Sequence, residues 1–200
     1  MTVPPLVLAS QSPRRSQILQ QLGLHFEVMP AAVEERYQAG ESAHAHAERL
    51  AREKAQFVAR QRPESLVVGS DTVVVLEDKI FGKPRSRAHA IDMLMQLEGR
   101  VHRVETGVAV AGPDARLESG VETVQVYFRR FGREFAEAYV DTTEPMDKAG
   151  AYGIQGHGAV LVERIVGDYF AVMGLPIGRM LDLLRALGWK YNFHGLERIA

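Results

Sequence analysis

Hydrophobic positions recur along this chain in two different periods. Short runs rich in apolar residues point to buried strands. They occur at Pro5–Ser10, at His25–Pro30 and most clearly at Leu66–Leu76, which carries Val67, Val68, Val73, Val74 and Val75. Apolar residues spaced three or four apart point to helices. One such helix starts at Ser12-Pro13, a good cap followed by a residue suited to the first helical position, and stops at Gly23. A second covers Ala45–Arg60, with Ala47, Leu50, Ala51, Ala55 and Val58 on one side. Ser86 caps a third, which ends at Gly99, and Arg133–Val140 is a short fourth. Pro176 opens the last, with Ile177, Met180, Leu181, Leu184 and Leu187 on one face and Gly188 as its stop. Val101–Ala111 and Leu117–Phe128 read as paired strands, and Val160–Ile165 with Tyr169–Val172 as a hairpin around Gly167-Asp168.

Alternating strands and helices predict an α/β fold: a mixed twisted sheet with flanking helices. Two lobes around a central cleft extend that expectation. Residues 1–188 read as one domain, and residues 189–200 as a C-terminal tail. The remaining composition narrows the function. A net charge of −1 over 200 residues argues against a nucleic-acid polymer as partner. A small anion needs only a local cluster of cations. With no cysteine, thiol catalysis and cysteine-bound zinc are excluded. No apolar run approaches the ~18 residues of a membrane span, and the first ten residues lack a signal peptide's basic and apolar regions. No membrane partner is expected, and a cytoplasmic location is the default.

Function is best sought where local rules fail. Arg14 and Arg15 occupy the first turn of a helix, where the dipole disfavours cations. A phosphate there would meet free backbone N–H groups and two planar guanidinium forks; the plain alternative is two solvated arginines. Asp71 interrupts a strand apolar on both faces, which is costly without a compensating cation or strong hydrogen bonds; the plain alternative is a strand-end aspartate bonded to a loop backbone. Gly69, two residues earlier, leaves room for a ligand to approach. Lys54 falls on the inward stripe of its helix, either snorkelling outward or aimed into a cleft. Lys83 is fixed in extended geometry by Pro84. The glycine-rich run Asp147–Gly156 contains Gln155, a donor and acceptor suited to a base edge. Glu34-Glu35, with Asp71, could supply carboxylate oxygens for Mg²⁺ or Mn²⁺. The seven histidines show no metal-ligand spacing.

In order, Leu8-Ala9-Ser10-Gln11-Ser12-Pro13-Arg14-Arg15, Leu50-Ala51-Arg52-Glu53-Lys54-Ala55, Gly69-Ser70-Asp71-Thr72-Val73-Val74, Gly82-Lys83-Pro84, Asp147–Gly156 and Gly174-Leu175-Pro176 resemble the Maf family of nucleotide pyrophosphatases. The likeness spans about residues 5–188. It implies an α/β fold similar to that of inosine triphosphate pyrophosphatases, and metal-dependent hydrolysis between the α- and β-phosphates of a nucleotide. It assigns catalysis to Asp71, the divalent metal (Mg²⁺ or Mn²⁺) to Glu35 and Asp71, and phosphate contacts to Arg14, Lys54 and Lys83. Arg15 and Ser10 join as further phosphate partners. Arg14, Thr72 and Gln155 match the branch that hydrolyses dTTP and UTP, with Thr72 and Gln155 reading the pyrimidine. A homodimer is compatible with the family alone. Two other readings stay open here: a hydrolase of modified pyrimidine triphosphates, and a nucleotide-binding regulator of cell division without turnover.

Overall fold

In the computed structural model, residues 3–199 are described; Met1, Thr2 and Ala200 lie outside the described residues. A seven-stranded mixed sheet carries the molecule, in the order β2-β1-β3-β5-β6-β7, with β4 paired to β3. Its strands are β1 (Leu6–Leu8), β2 (Glu27–Val28), β3 (Leu66–Leu76), β4 (Lys79–Phe81), β5 (Val101–Ala111), β6 (Leu117–Phe128) and β7 (Val162–Val166). β1 runs parallel to both β2 and β3. β4 is antiparallel to β3, and β7 to β6. The helices are α1 (Pro13–Gln21), α2 (Ala43–Ala59), α3 (Arg87–Leu97), α4 (Gly132–Asp141), α5 (Tyr169–Met173) and α6 (Ile177–Ala186). None is long and apolar enough to cross a membrane among the described residues. The expected mixed α/β sheet with flanking helices is therefore present.

The chain forms two compact units: Met1–Asp71 with Thr106–Glu122 and Gly174–Ala200, and Thr72–Glu105 with Thr123–Met173. The boundary falls between Asp71 and Thr72, within β3.

In the first unit the core beneath α2 is made of small residues: Val7, Ala9, Ala51, Ala55, Val58, Val67, Ala109 and Ala111. The reason is close approach. A Cβ on Gly69 would lie 2.4 Å from the Ala51 carbonyl oxygen and 2.6 Å from the Ala55 nitrogen. One on Gly107 would lie 2.2 Å from the Ala47 carbonyl oxygen. The α2 backbone thus rests directly on β3 and β5. Gly69 serves the helix, not a ligand, which corrects the expectation drawn from its place in the strand. Ser42 starts α2 by accepting a hydrogen bond from the Ala45 N–H at 3.1 Å.

The second unit packs β4, α3, α4 and parts of β3, β5 and β6 around Phe81, Leu94, Leu97, Phe128, Tyr139 and Leu161. Here the expected hairpin partner Tyr169–Val172 is instead helix α5, Tyr169–Met173. Asp168 accounts for the difference. Its carboxylate accepts the Phe170 N–H at 2.8 Å, satisfying a donor at the helix start and turning the chain away from β7.

The segment read as a tail also differs. Trp189–Tyr191 (β8) and Leu196–Arg198 (β9) pair antiparallel, Trp189 facing Arg198. Trp189 is buried, and the Tyr191 hydroxyl donates to the Leu22 carbonyl at 2.6 Å. An anchored aromatic pair makes this a docked hairpin of the first unit; only Ala200 of residues 189–200 lies outside the described residues.

Candidate active site

Asp71 ends the first unit's share of β3 and is 8% exposed. A carboxylate there needs a cation. Lys54 supplies it. The lysine sits on the buried stripe of α2, 6% exposed, and its Nζ donates to Asp71 Oδ1 at 2.7 Å and to Glu35 Oε1 at 2.5 Å. The sequence left Lys54 between snorkelling and pointing inward; it points inward. The glycines at 69 and 107 are the cause, since they bring this turn of α2 onto the strand that carries Asp71.

Glu35 comes from the irregular segment after β2, where nothing regular holds it. A side-chain brace does. Arg49 of α2 donates to the Arg36 carbonyl at 2.9 Å, and to Glu41 through Nε at 2.6 Å and Nη2 at 2.9 Å. Glu41 also accepts from the Gln38 N–H, and His46 Nδ1 lies 3.0 Å from it. Tyr37 stacks on the His46 ring at 3.6 Å. The Arg49 guanidinium holds the Glu41 carboxyl at about 2, against the opposing effect of burial and with help from His46 and Gln38. Sequence reading missed both residues, because the pairing spans a loop and two helical turns.

Arg15 is the second cation near the pair. Its Nε donates to the Gly174 carbonyl at 2.7 Å and its Nη1 to Ser10 Oγ at 2.9 Å. Ser10 Oγ also accepts the Ser12 N–H at 3.2 Å. Burial lowers the Arg15 pKa; Asp71 raises it, Arg14 lowers it and Glu35 raises it. Arg15 therefore feels both carboxylates. Arg14 is its half-buried neighbour in the first turn of α1. Ser70 adds a contact the sequence did not flag. Its Oγ lies 2.8 Å from both the Gly107 and the Gly174 carbonyl oxygens, and its single proton serves one at a time. A polar residue inside the valine run was the available signal.

Ser10, Arg14, Arg15, Glu35, Lys54 and Asp71 all belong to the first unit, and Thr72, Lys83 and Gln155 to the second. Thr72 is half-buried in β3, and Lys83 is exposed between β4 and α3. Gln155 is half-buried between the 3₁₀ turns Ala149–Ala151 and Gly156–Leu161. A bond from the Gly150 N–H to the Gly82 carbonyl, 3.1 Å, ties the segment of Lys83 to that of Gln155.

The donor set fits a hard divalent cation. Mg²⁺ is usually held by one or two carboxylates together with substrate phosphates rather than by a full protein cage. Glu35 and Asp71 already share one positive charge, and no group of three or more His, Cys, Asp or Glu is placed to hold a metal among the described residues.

The Maf-like protein family matches residues 5–187. A dTTP/UTP pyrophosphatase of Desulforamulus reducens is 46% identical over 187 residues, covering 92% of this chain and 97% of that protein. One of Acetivibrio thermocellus is 47% identical over 191 residues, covering 92% and 95%. One of Aquifex aeolicus is 46% identical over 182 residues, covering 91% and 95%. Among solved structures, the Staphylococcus aureus Ham1 protein aligns over 62% of this chain and 71% of its own, with 18% identity and a TM-score of 0.46. The family match alone spans nearly the whole sequence, and the chain belongs to the Maf family.

Proposed function

We propose that the protein hydrolyses dTTP and UTP between the α- and β-phosphates, releasing the nucleoside monophosphate and pyrophosphate. The observation that carries the reading is one lysine ammonium shared by two carboxylates, Asp71 and Glu35, beside Arg15. The near-half identity to proteins named dTTP/UTP pyrophosphatase supports the substrate class.

Glu35 and Asp71 hold a divalent cation, Mg²⁺ or Mn²⁺, which when bound neutralises phosphate oxygens and polarises the phosphorus. Asp71 accepts a proton from water as its oxygen bonds to the α-phosphorus. The bond from that phosphorus to the bridging oxygen breaks, and its electron pair leaves with pyrophosphate. Lys54, Arg14, Arg15 and Lys83 offset the charge of the polyphosphate, because phosphoryl transfer depends mainly on positioning and charge stabilisation. Ser10 fixes Arg15 for that role. Thr72 and Gln155 read the pyrimidine edge.

The test is a panel of nucleoside triphosphates with Mg²⁺ or Mn²⁺, scoring pyrophosphate against orthophosphate. Pyrophosphate with dTTP and UTP preferred is the expected outcome; orthophosphate as the first product refutes the reaction. Asp71→Asn should lower kcat by about 10²–10⁴-fold, the usual worth of a general base.

A further inference from the structure

Gln155 is half-buried, and its side-chain amide makes no hydrogen bond within the described residues. The backbone on either side of it is pinned. On one side, the Gly153 N–H donates to the Tyr139 hydroxyl oxygen at 3.1 Å. On the other, the His157 N–H donates to Glu144 Oε2 at 2.8 Å and the Gly158 N–H to Glu144 Oε1 at 3.0 Å. The two anchors are themselves joined, the Tyr139 hydroxyl donating to Glu144 Oε1 at 2.9 Å.

The glycines show how tightly the segment wraps this pair. A Cβ on Gly156 would lie 2.6 Å from Glu144 Oε2, at a backbone φ of +69° that favours glycine in any case. A Cβ on Gly158 would lie 2.5 Å from the Tyr139 hydroxyl oxygen. Lys148 closes the other flank, donating to the Glu144 carbonyl at 2.6 Å, with its chain against Gly153. Burial pushes the Glu144 carboxyl up, yet the Gly158 and His157 N–H groups and the Tyr139 hydroxyl outweigh it and hold it below its ordinary range. The carboxylate form is the one the segment is built around.

We propose that Glu144 and Tyr139 are positioning residues for nucleotide selection: together they clamp both ends of the segment and so aim the otherwise unbonded Gln155 amide at the base. The inference rests on the reading of Gln155 as the base reader. It predicts that selectivity is lost through a residue that touches no nucleotide. An amide at 144 would keep one acceptor oxygen and set its NH2 against one of the two backbone donors, and a phenylalanine at 139 would keep the ring while removing the bridging oxygen.

The experiment measures kcat and KM for dTTP, UTP and CTP in Glu144→Gln, Tyr139→Phe, Gln155→Ala and the Glu144→Gln/Gln155→Ala double variant. The clamp predicts a loss of about tenfold in the preference for dTTP over CTP in Glu144→Gln, in line with one misplaced hydrogen-bonding group. The loss should appear mainly in KM, with kcat for dTTP kept within about threefold. Tyr139→Phe, which preserves the packing, should show a smaller loss of the same kind. In the double variant Glu144→Gln should add nothing to the effect of Gln155→Ala. Equal loss on every nucleotide, or full additivity, overturns the clamp. If Gln155→Ala leaves the preference intact, the base-reading assignment itself fails. If Gln155→Ala changes it while both anchor variants do not, only the clamp fails.

Discussion

Replacing Lys54 by methionine isolates the electrostatics of the candidate site. Methionine keeps most of the buried aliphatic stem and removes one charge, so the change in packing is small. What remains is Asp71, 8% exposed, without its ammonium partner but still in the field of Arg15, and Glu35, whose side chain is 50% exposed. At an effective dielectric constant of about 20, two unit charges ~4 Å apart attract by about 4 kcal/mol. Breaking a buried ion pair by removing one partner costs about 3–5 kcal/mol. The Glu35 arm faces solvent and adds less than about 1 kcal/mol. Lys54→Met should therefore lose on the order of 3 kcal/mol of folding stability. The same carboxylate pair, freed of its ammonium, should bind a divalent cation more tightly. A cation at a hundred times its Kd returns about 2.7 kcal/mol. Urea denaturation with and without Mn²⁺, no nucleotide present, reads both effects. The expected result is a lowered midpoint that Mn²⁺ largely restores, with a smaller Mn²⁺ response in the parent. An unchanged midpoint, or an equal Mn²⁺ response in both proteins, refutes the reasoning.

Three further outcomes follow from the same geometry. Gly69→Ala should destabilise the protein by several kcal/mol, because its Cβ would meet the α2 backbone at 2.4 Å, and thermal melting checks it. Glu41→Gln should weaken the brace on the Glu35 segment. The folded carboxyl lies at about 2, below its ordinary value, so its stabilisation is present above pH ~4.5 and is lost as pH falls towards 2; denaturation midpoints of variant and parent should converge over that range. Buried His102, 2.7 Å from the Tyr152 hydroxyl, is held neutral by burial, its pKa pushed down to about 3. Folding stability should then decline as pH falls from ~6.5 towards 3, because the unfolded chain takes up a proton that the folded one does not; His102→Phe should flatten that slope in pH-dependent denaturation.

Much of the scaffold was legible in the sequence because burial leaves a pattern. β3 is apolar on both faces, and its observed bounds are those of the valine run. Lys54 and Asp71 stood out as charges where apolar residues belonged, and they meet. What the sequence hid was contact at long range. Gly69 read equally well as space for a ligand, since only the fold shows that the α2 backbone fills it. Tyr169–Met173 has strand-like residues, but one aspartate side chain ahead of it starts a helix. The β8–β9 strands are three residues each, too short for a periodic signal, and depend on Trp189 and Tyr191 finding the body of the first unit. Arg49, Glu41, Tyr139 and Glu144 act through partners that sequence spacing does not reveal.

Hydrolysis of dTTP in ¹⁸O-labelled water, with the products weighed by mass spectrometry, tests the central claim most directly. Attack at the α-phosphorus predicts one labelled oxygen in dTMP and none in the pyrophosphate formed in the first turnover. Label in pyrophosphate, or a labelled orthophosphate beside dTDP, would place the attack at another phosphorus and contradict the account.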